Sequence, residues 1–260
     1  MVETSPDGII WTVKQPGELS GSDLNCVTWT GKQLVAAGYA ESFVSTDGIT
    51  WTKHTMGSGG IFTSVVWGKN QLVAVGSEER IMTSPDGITW TSRRSGKHSL
   101  QSAAWTGKQF VAGGNSSGTP FLRSTDGINW TVDSAGPTFN SIVWTGNQLV
   151  SVSNYANIVT SPDGINWTFR DWTSGDTALH REGIDLYSIT WTGSHLLAVG
   201  SRNGLPRKTG GVVGAILTSR DGIKWTGQDS ASWPIFSSVV SNGTGAVAVS
   251  NASGTILTSR

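Results

Sequence analysis

A chain of 260 residues has room for a substantial buried core, as one all-β domain or two smaller ones. Eighteen basic residues balance eighteen acidic ones, and this zero net charge gives no long-range pull toward a phosphate backbone or an anionic membrane surface. Nucleic acid is thereby disfavoured as a partner, and no apolar run approaches the roughly 18 residues that would suggest membrane insertion. Cys26 is the only cysteine, so the fold uses no intrachain disulfide and the redox compartment stays open. The chain starts Met1-Val2-Glu3-Thr4 and runs straight into a repeat motif. That start is expected of a cytoplasmic protein, or of a secreted or periplasmic one whose signal peptide has been removed.

The first element is a hairpin, SPDGIIW at 5–11, leading into a strand at Ile9–Val13. A second motif follows, WTGKQLVAAG from Trp29, and then the hairpin returns as STDGITW at 45–51. The two motifs alternate to the end of the chain. WGKNQLVAVG from Trp67 precedes SPDGITW at 84–90, and WTGKQFVAGG from Trp105 precedes STDGINW at 124–130. WTGNQLVSVS from Trp144 precedes SPDGINW at 161–167, WTGSHLLAVG from Trp191 precedes SRDGIKW at 219–225, and a degenerate copy starts at Val240. Repeats of about 40 residues with four short alternating strands each are the signature of propeller blades. In the unit at 62–91 the strands are FTSVVWG, QLVAVG, RIMTS and ITWTSR, here called A to D.

The predicted fold is therefore all-β: a single domain over 1–260, a six-bladed β-propeller of four-stranded antiparallel blades. The C-terminal stretch Phe236–Ser259 supplies strands A, B and C, and the N-terminal Ile9–Val13 supplies a strand D. Pairing them is expected to complete the sixth blade and remove the open edges.

The boxes Ser-x-Asp-Gly-x-x-Trp resemble the Asp box of the BNR-repeat propellers, a family that includes sialidases and many non-enzymatic proteins. The usual box reads Ser-x-Asp-x-Gly-x-x-Trp; here Gly directly follows Asp, a shorter variant. The resemblance implies that the box lies on the turn between strands C and D. A structural role for Asp7, Asp47, Asp86, Asp126, Asp163 and Asp221 follows from chemistry alone. Asp-Gly makes a tight turn whose carboxylate accepts backbone N–H groups. Trp11, Trp51, Trp90, Trp130, Trp167 and Trp225 are expected to pack against neighbouring strands, and eleven of the thirteen Trp fall in repeat columns that make them core. Cys26 shares a column with Ser64, Ser102, Ser141, Ser188 and Ser238, so it stands in for a small scaffold residue, not a nucleophile.

Function is sought where the symmetry breaks. The interval between Asp163 and Asp221 is lengthened by two insertions, 169–185 before strand A and 201–214 between strands B and C. D-to-A and B-to-C connections open on the end of the blades opposite the Asp boxes, and loops on a rigid scaffold are where binding resides. Tyr39, Tyr155 and Tyr187, the only tyrosines, fall there with Trp172, Arg181 and Arg202. These six are the candidate ligand-binding residues, suited to a glycan or a protein through stacking and charged hydrogen bonds. No catalytic residue, metal ligand or cofactor site is assigned. The four histidines lack ligand spacing, and nothing positions Glu41, Glu78 and Glu79 as a facing acid pair. The expectation is a monomeric, non-catalytic binding or scaffold propeller; the alternative is a glycoside hydrolase of sialidase-like type.

Overall fold

The computed structural model describes the whole chain apart from residues 1, 6–8, 15–22, 58, 117, 134–135, 171–182, 204–211, 229–232, 244, 251–253 and 260. The described residues form strands, turns and two single-turn 3-10 segments, without an α-helix. The fold class is an all-β, six-bladed β-propeller, and the chain divides into two compact units, 1–138 and 139–260.

In the first unit, β1 (Val2–Thr4) and β2 (Thr12–Lys14) form a two-stranded hairpin. The first blade is β3 (Leu24–Trp29), β4 (Leu34–Gly38), β5 (Glu41–Ser45) and β6 (Thr52–Thr55). The second is β7 (Phe62–Gly68), β8 (Gln71–Gly76), β9 (Ile81–Ser84) and β10 (Thr91–Arg94). The third is β11 (Ser102–Trp105), β12 (Phe110–Gly113), β13 (Phe121–Ser124) and β14 (Thr131–Asp133). In the second unit, β15 (Ser141–Trp144), β16 (Leu149–Val152), β17 (Ile158–Ser161) and β18 (Thr168–Arg170) make the fourth blade. The fifth is β19 (Ile184–Trp191), β20 (Leu196–Asn203), β21 (Val212–Ser219) and β22 (Thr226–Gln228), with its first three strands lengthened by the insertions. The last blade has three strands, β23 (Ser238–Ser241), β24 (Ala246–Val249) and β25 (Ile256–Ser259). Every pairing is antiparallel between strands consecutive in the chain, as short hairpin connections dictate.

Apolar residues on facing blade surfaces interlock. Val35 and Ala37 of the first blade pack with Phe62, Val65 and Leu72 of the second, and Val73 and Ile81 with Leu100 and Phe110 of the third. In the second unit, Val150 and Ile158 meet Leu186 and Leu196, and Val199 and Ile216 meet Phe236 and Val239. Each fully buried side chain of this size contributes about 1.5–3 kcal/mol. One expected core position departs. The strand-A column that is buried at Val65, Ala103, Ile142, Ile189 and Val239 is 59% exposed at Val27, and Trp29 beside it is exposed too. Within its unit no blade precedes β3–β6 to cover that face, so this Trp is not core.

Polar side chains tie successive blades together. Ser64 Oγ accepts the N–H of Ala103, Ser141 Oγ that of Ile189, and Ser188 Oγ that of Val239. One residue earlier in the chain, Asn25, Thr63 and Asn140 donate to the carbonyls of Phe62, Leu100 and Leu186. At the other end of the blades Gln33, Gln71 and Gln148 donate to the backbone carbonyls of Asp86, Asp126 and Asp221. Cys26 replaces the serine but turns its thiol to Ala37 O of its own blade.

The completion of the last blade by Ile9–Val13 is corrected. Thr12–Lys14 pairs with Val2–Thr4, in the register Thr4↔Thr12, and β23–β24–β25 stands as a three-stranded sheet. The reason is local. The box joins a strand C before it to a strand D after it, and Val2–Thr4 is that strand C, so strand D finds its partner across its own turn.

The Asp-Gly hairpins repeat one geometry. Asp47 Oδ1 accepts the N–H groups of Thr50 and Ile49, Ser45 Oγ accepts the N–H of Gly48, and the Trp51 indole donates to Gly48 O. The carboxylate and serine bonds recur around Asp86, Asp126, Asp163 and Asp221, and the indole bond recurs at Trp90, Trp130 and Trp225; Asp7 lies outside the described residues. Gly87 has φ +76°, and a Cβ there would meet Val35 of the first blade at 2.9 Å, so both conformation and space demand glycine. The backbone N–H of Thr50, then that of Ile49, holds the Asp47 carboxyl down at about 2. Asn166 and Ile165 do the same for Asp163, also to about 2. A depressed folded-state pKa means stability that is complete above the unfolded value of 3.8 and is lost as pH falls through the folded value. Denaturant midpoints are therefore expected to fall between about pH 4 and about pH 2. A variant carrying Asp47→Asn and Asp163→Asn is expected to lose less over the same interval.

Candidate functional site

In the first, second and fourth blades the B-to-C connections are tight turns that use left-handed backbone without glycine, whereas the third and last blades use Gly118 and Gly254. In the first unit Ala40 has φ 56°, Glu78 φ 58° and Glu79 φ 47°; in the second, Tyr155 has φ 59° and Ala156 φ 49°. Two successive residues at positive φ make the turn that matches strand twist, and Asn-Gly is its preferred occupant. Glu-Glu and Tyr-Ala fill it here at a conformational cost, so each side chain needs its own account.

In the first unit that account is partly structural. Glu79 is 5% exposed, and its carboxylate pairs with Arg94 at 2.6 Å. Its N–H donates to His98 O, and Glu78 O accepts the N–H of Gly96, whose missing Cβ leaves room for the Glu79 carboxylate. Glu78 pairs with Arg80 at 2.5 Å. Arg80 and Arg94 are absent from the candidates drawn from the sequence. The signal that would have found them is the acid doublet at a turn wanting Asn-Gly, which calls for a cation to hold it. Tyr39, before Ala40, is 59% exposed. With Asp23, Leu24, Asn25 and Ile61 it lines an open depression of about 470 Å³.

In the second unit Tyr155 is 68% exposed, and its N–H donates to Asp185 Oδ1 at 3.0 Å. Asn140 Nδ2 bridges Asn154 Oδ1 and Leu186 O, binding the same turn to β19. Tyr187 sits at the bulge of β19, the position from which Asn25, Thr63 and Asn140 reach the next blade. Its hydroxyl is bonded to Ser201 Oγ at 2.8 Å instead. Asp185 pairs across the sheet with Ser201, whereas Arg202 pairs with Ile184 and so projects from the opposite sheet face. The structure thus gathers Tyr155, Asp185, Tyr187 and Ser201 near one end of β19 and separates Arg202 from them. Trp172 and Arg181 lie outside the described residues.

Two carboxylates here are engaged, Glu79 by Arg94 and Asp185 by the Tyr155 backbone N–H. Burial pushes the Cys26 thiol up to about 12, which disfavours the nucleophilic thiolate. What the turns present outward is aromatic surface: Tyr39 in one unit, Tyr155 in the other.

No family model matches the chain, and no curated protein matches it. Solved structures do. The chain is similar to YCF48 bound to D1 peptide, at 17% identity and a TM-score of 0.52, over 74% of this chain and 60% of that one. It is similar to the Myceliophteria thermophila Cps50 (Swd1) β-propeller domain, at 13% identity and a TM-score of 0.65, over 91% and 82% of the two chains. It is also similar to the GH74 enzyme of Niastella koreensis, at 17% identity and a TM-score of 0.60, covering 90% of this chain and 36% of the enzyme. The chain therefore spans 60% of the YCF48 chain's length and a smaller share of the enzyme's. At these identities the likeness shows the β-propeller fold.

The strained turn makes a stability prediction. Tyr155→Asn relieves a bulky side chain from left-handed backbone and is expected to leave the melting temperature unchanged or raise stability by about 1 kcal/mol. Asp185→Ala, which orphans the Tyr155 N–H, is expected to cost about 1 kcal/mol. Denaturant titration of the two variants checks both signs.

Proposed function

We propose that the chain is a non-catalytic binding propeller of the Asp-box type, and that it holds a protein partner on the B-to-C turns. The observation that carries this reading is Tyr155. Its backbone is strained, its ring is 68% exposed, and neither turn geometry nor packing calls for an aromatic there. An exposed Tyr on a rigid turn offers large contact area at low entropic cost, the property that enriches Tyr in binding surfaces. In the first unit Tyr39 is exposed as well, beside the left-handed Ala40. The peptide named with YCF48 supports a protein ligand for this kind of fold, and the six boxes support the resemblance to the Asp-box repeats.

The test is a peptide display library panned on the intact chain, with a glycan array run in parallel. Peptides are expected to enrich; Tyr39→Ala is expected to weaken those held by the first unit and Tyr155→Ala those held by the second, each about tenfold without lowering the melting temperature. Glycan binding that is lost in the same variants, with no peptide enriched, would replace the protein by a carbohydrate. Ligands indifferent to both tyrosines would remove the turns from the site.

A further inference from the structure

We propose that the fifth blade carries a second site, which binds a tetrahedral oxyanion such as a phosphate or sulfate monoester. It lies at the end of the blade opposite the B-to-C turns. Three departures from the repeat coincide there. Arg220 stands in the box where every other box has Thr or Pro, and Lys224 where the others have Thr, Asn or Ile. His195 stands where the first four blades have Gln.

The substitutions share one open depression of about 430 Å³, lined by His195, Arg220 and Lys224 together with Thr218, Ser219, Asp221, Thr226 and Gln228. Arg220 Nε lies 3.1 Å from His195 Nε2, and His195 Nδ1 lies 2.9 Å from Ser194 Oγ. Guanidinium nitrogen only donates, so Nε2 accepts and the imidazole proton sits on Nδ1, donated to the Ser194 hydroxyl. His195 is therefore a positioning residue. From the position where Gln33, Gln71 and Gln148 bond the next blade, it holds the Arg220 side chain by Nε, a contact that uses neither of the two terminal nitrogens.

Neither Arg220 nor Lys224 has an ion-pair partner among the described residues. The nearby Asp221 carboxylate is already engaged through Oδ1 by the N–H groups of Lys224 and Ile223. Two cations thus stand against one carboxylate, with the Thr218 and Thr226 hydroxyls beside them. A guanidinium edge, an ammonium and hydroxyl donors together suit several oxygens of one dianion. The first four blades place no such cation pair on their boxes, so the scaffold does not require it.

The experiment is a titration of the intact 15N-labelled chain with inorganic phosphate, and separately with inorganic sulfate, against chloride at constant ionic strength. Saturable amide shifts at 219–226, absent from the sibling hairpin at 124–130, are expected. Arg220→Thr and Lys224→Asn install residues that sibling boxes already carry, and each is expected to weaken binding about tenfold. His195→Gln is expected to weaken binding with no loss of melting temperature, which separates positioning from scaffold. The tighter of the two anions identifies the ester. Shifts that do not saturate, that chloride reproduces, or that appear equally at 124–130 overturn the proposal, as does wild-type affinity in Arg220→Thr.

Discussion

A carboxylate folded back on its own chain is the constraint from which the blades take their form. Asp47, Asp86, Asp126, Asp163 and Asp221 each gather the next N–H groups onto Oδ1, and the turn this makes leaves the same residue's backbone carbonyl facing outward. Three of those carbonyls are taken by a Gln from the blade before: Gln33 to Asp86, Gln71 to Asp126, Gln148 to Asp221. Ser64, Ser141 and Ser188 perform the matching service at the innermost strands. The apolar faces supply most of the energy, but they are non-directional; these bonds set the register at which one blade meets the next.

A repeat held this way separates scaffold from function. Whatever recurs in five boxes is explained by the turn, so an ordinary Asp-box residue needs no ligand. The informative residues are those that break a column. Tyr155 breaks the preference of its turn, Tyr187 bonds Ser201 from the position where other blades reach their neighbour, and His195 bonds Arg220 from the position where other blades carry Gln. They fall at both ends of the blades.

The blades were legible because their determinants are local. Asp-Gly turns, alternation and the Trp-Thr-Gly motif lie within a few residues of one another; in the unit at 62–91 the predicted strands A and B coincide with β7 and β8, C lies within one residue of β9, and D begins three residues before β10. The N-terminal strand was misassigned because Val2–Thr4 is too short to show a period, and only the box after it reveals a strand C. The candidate site was legible in part. Tyr39 and Tyr155 stand out by composition, whereas the pairing of Glu79 with Arg94 depends on a turn conformation that propensity argues against. Whether Arg202 shares a sheet face with Tyr187 depends on a bulge, and a bulge has no sequence signature here.

The Gln bonds also have a direction in time. Each donor precedes its acceptor in the chain, by 53 residues for Gln33, 55 for Gln71 and 73 for Gln148. During synthesis a blade therefore leaves the ribosome with its donor already placed and waits for most of the following blade before that bond can close. Assembly proceeds from the N-terminal side with each blade locked one step behind the growing end. The wait is longest for the fourth blade, because the insertions of the fifth delay the hairpin that secures it.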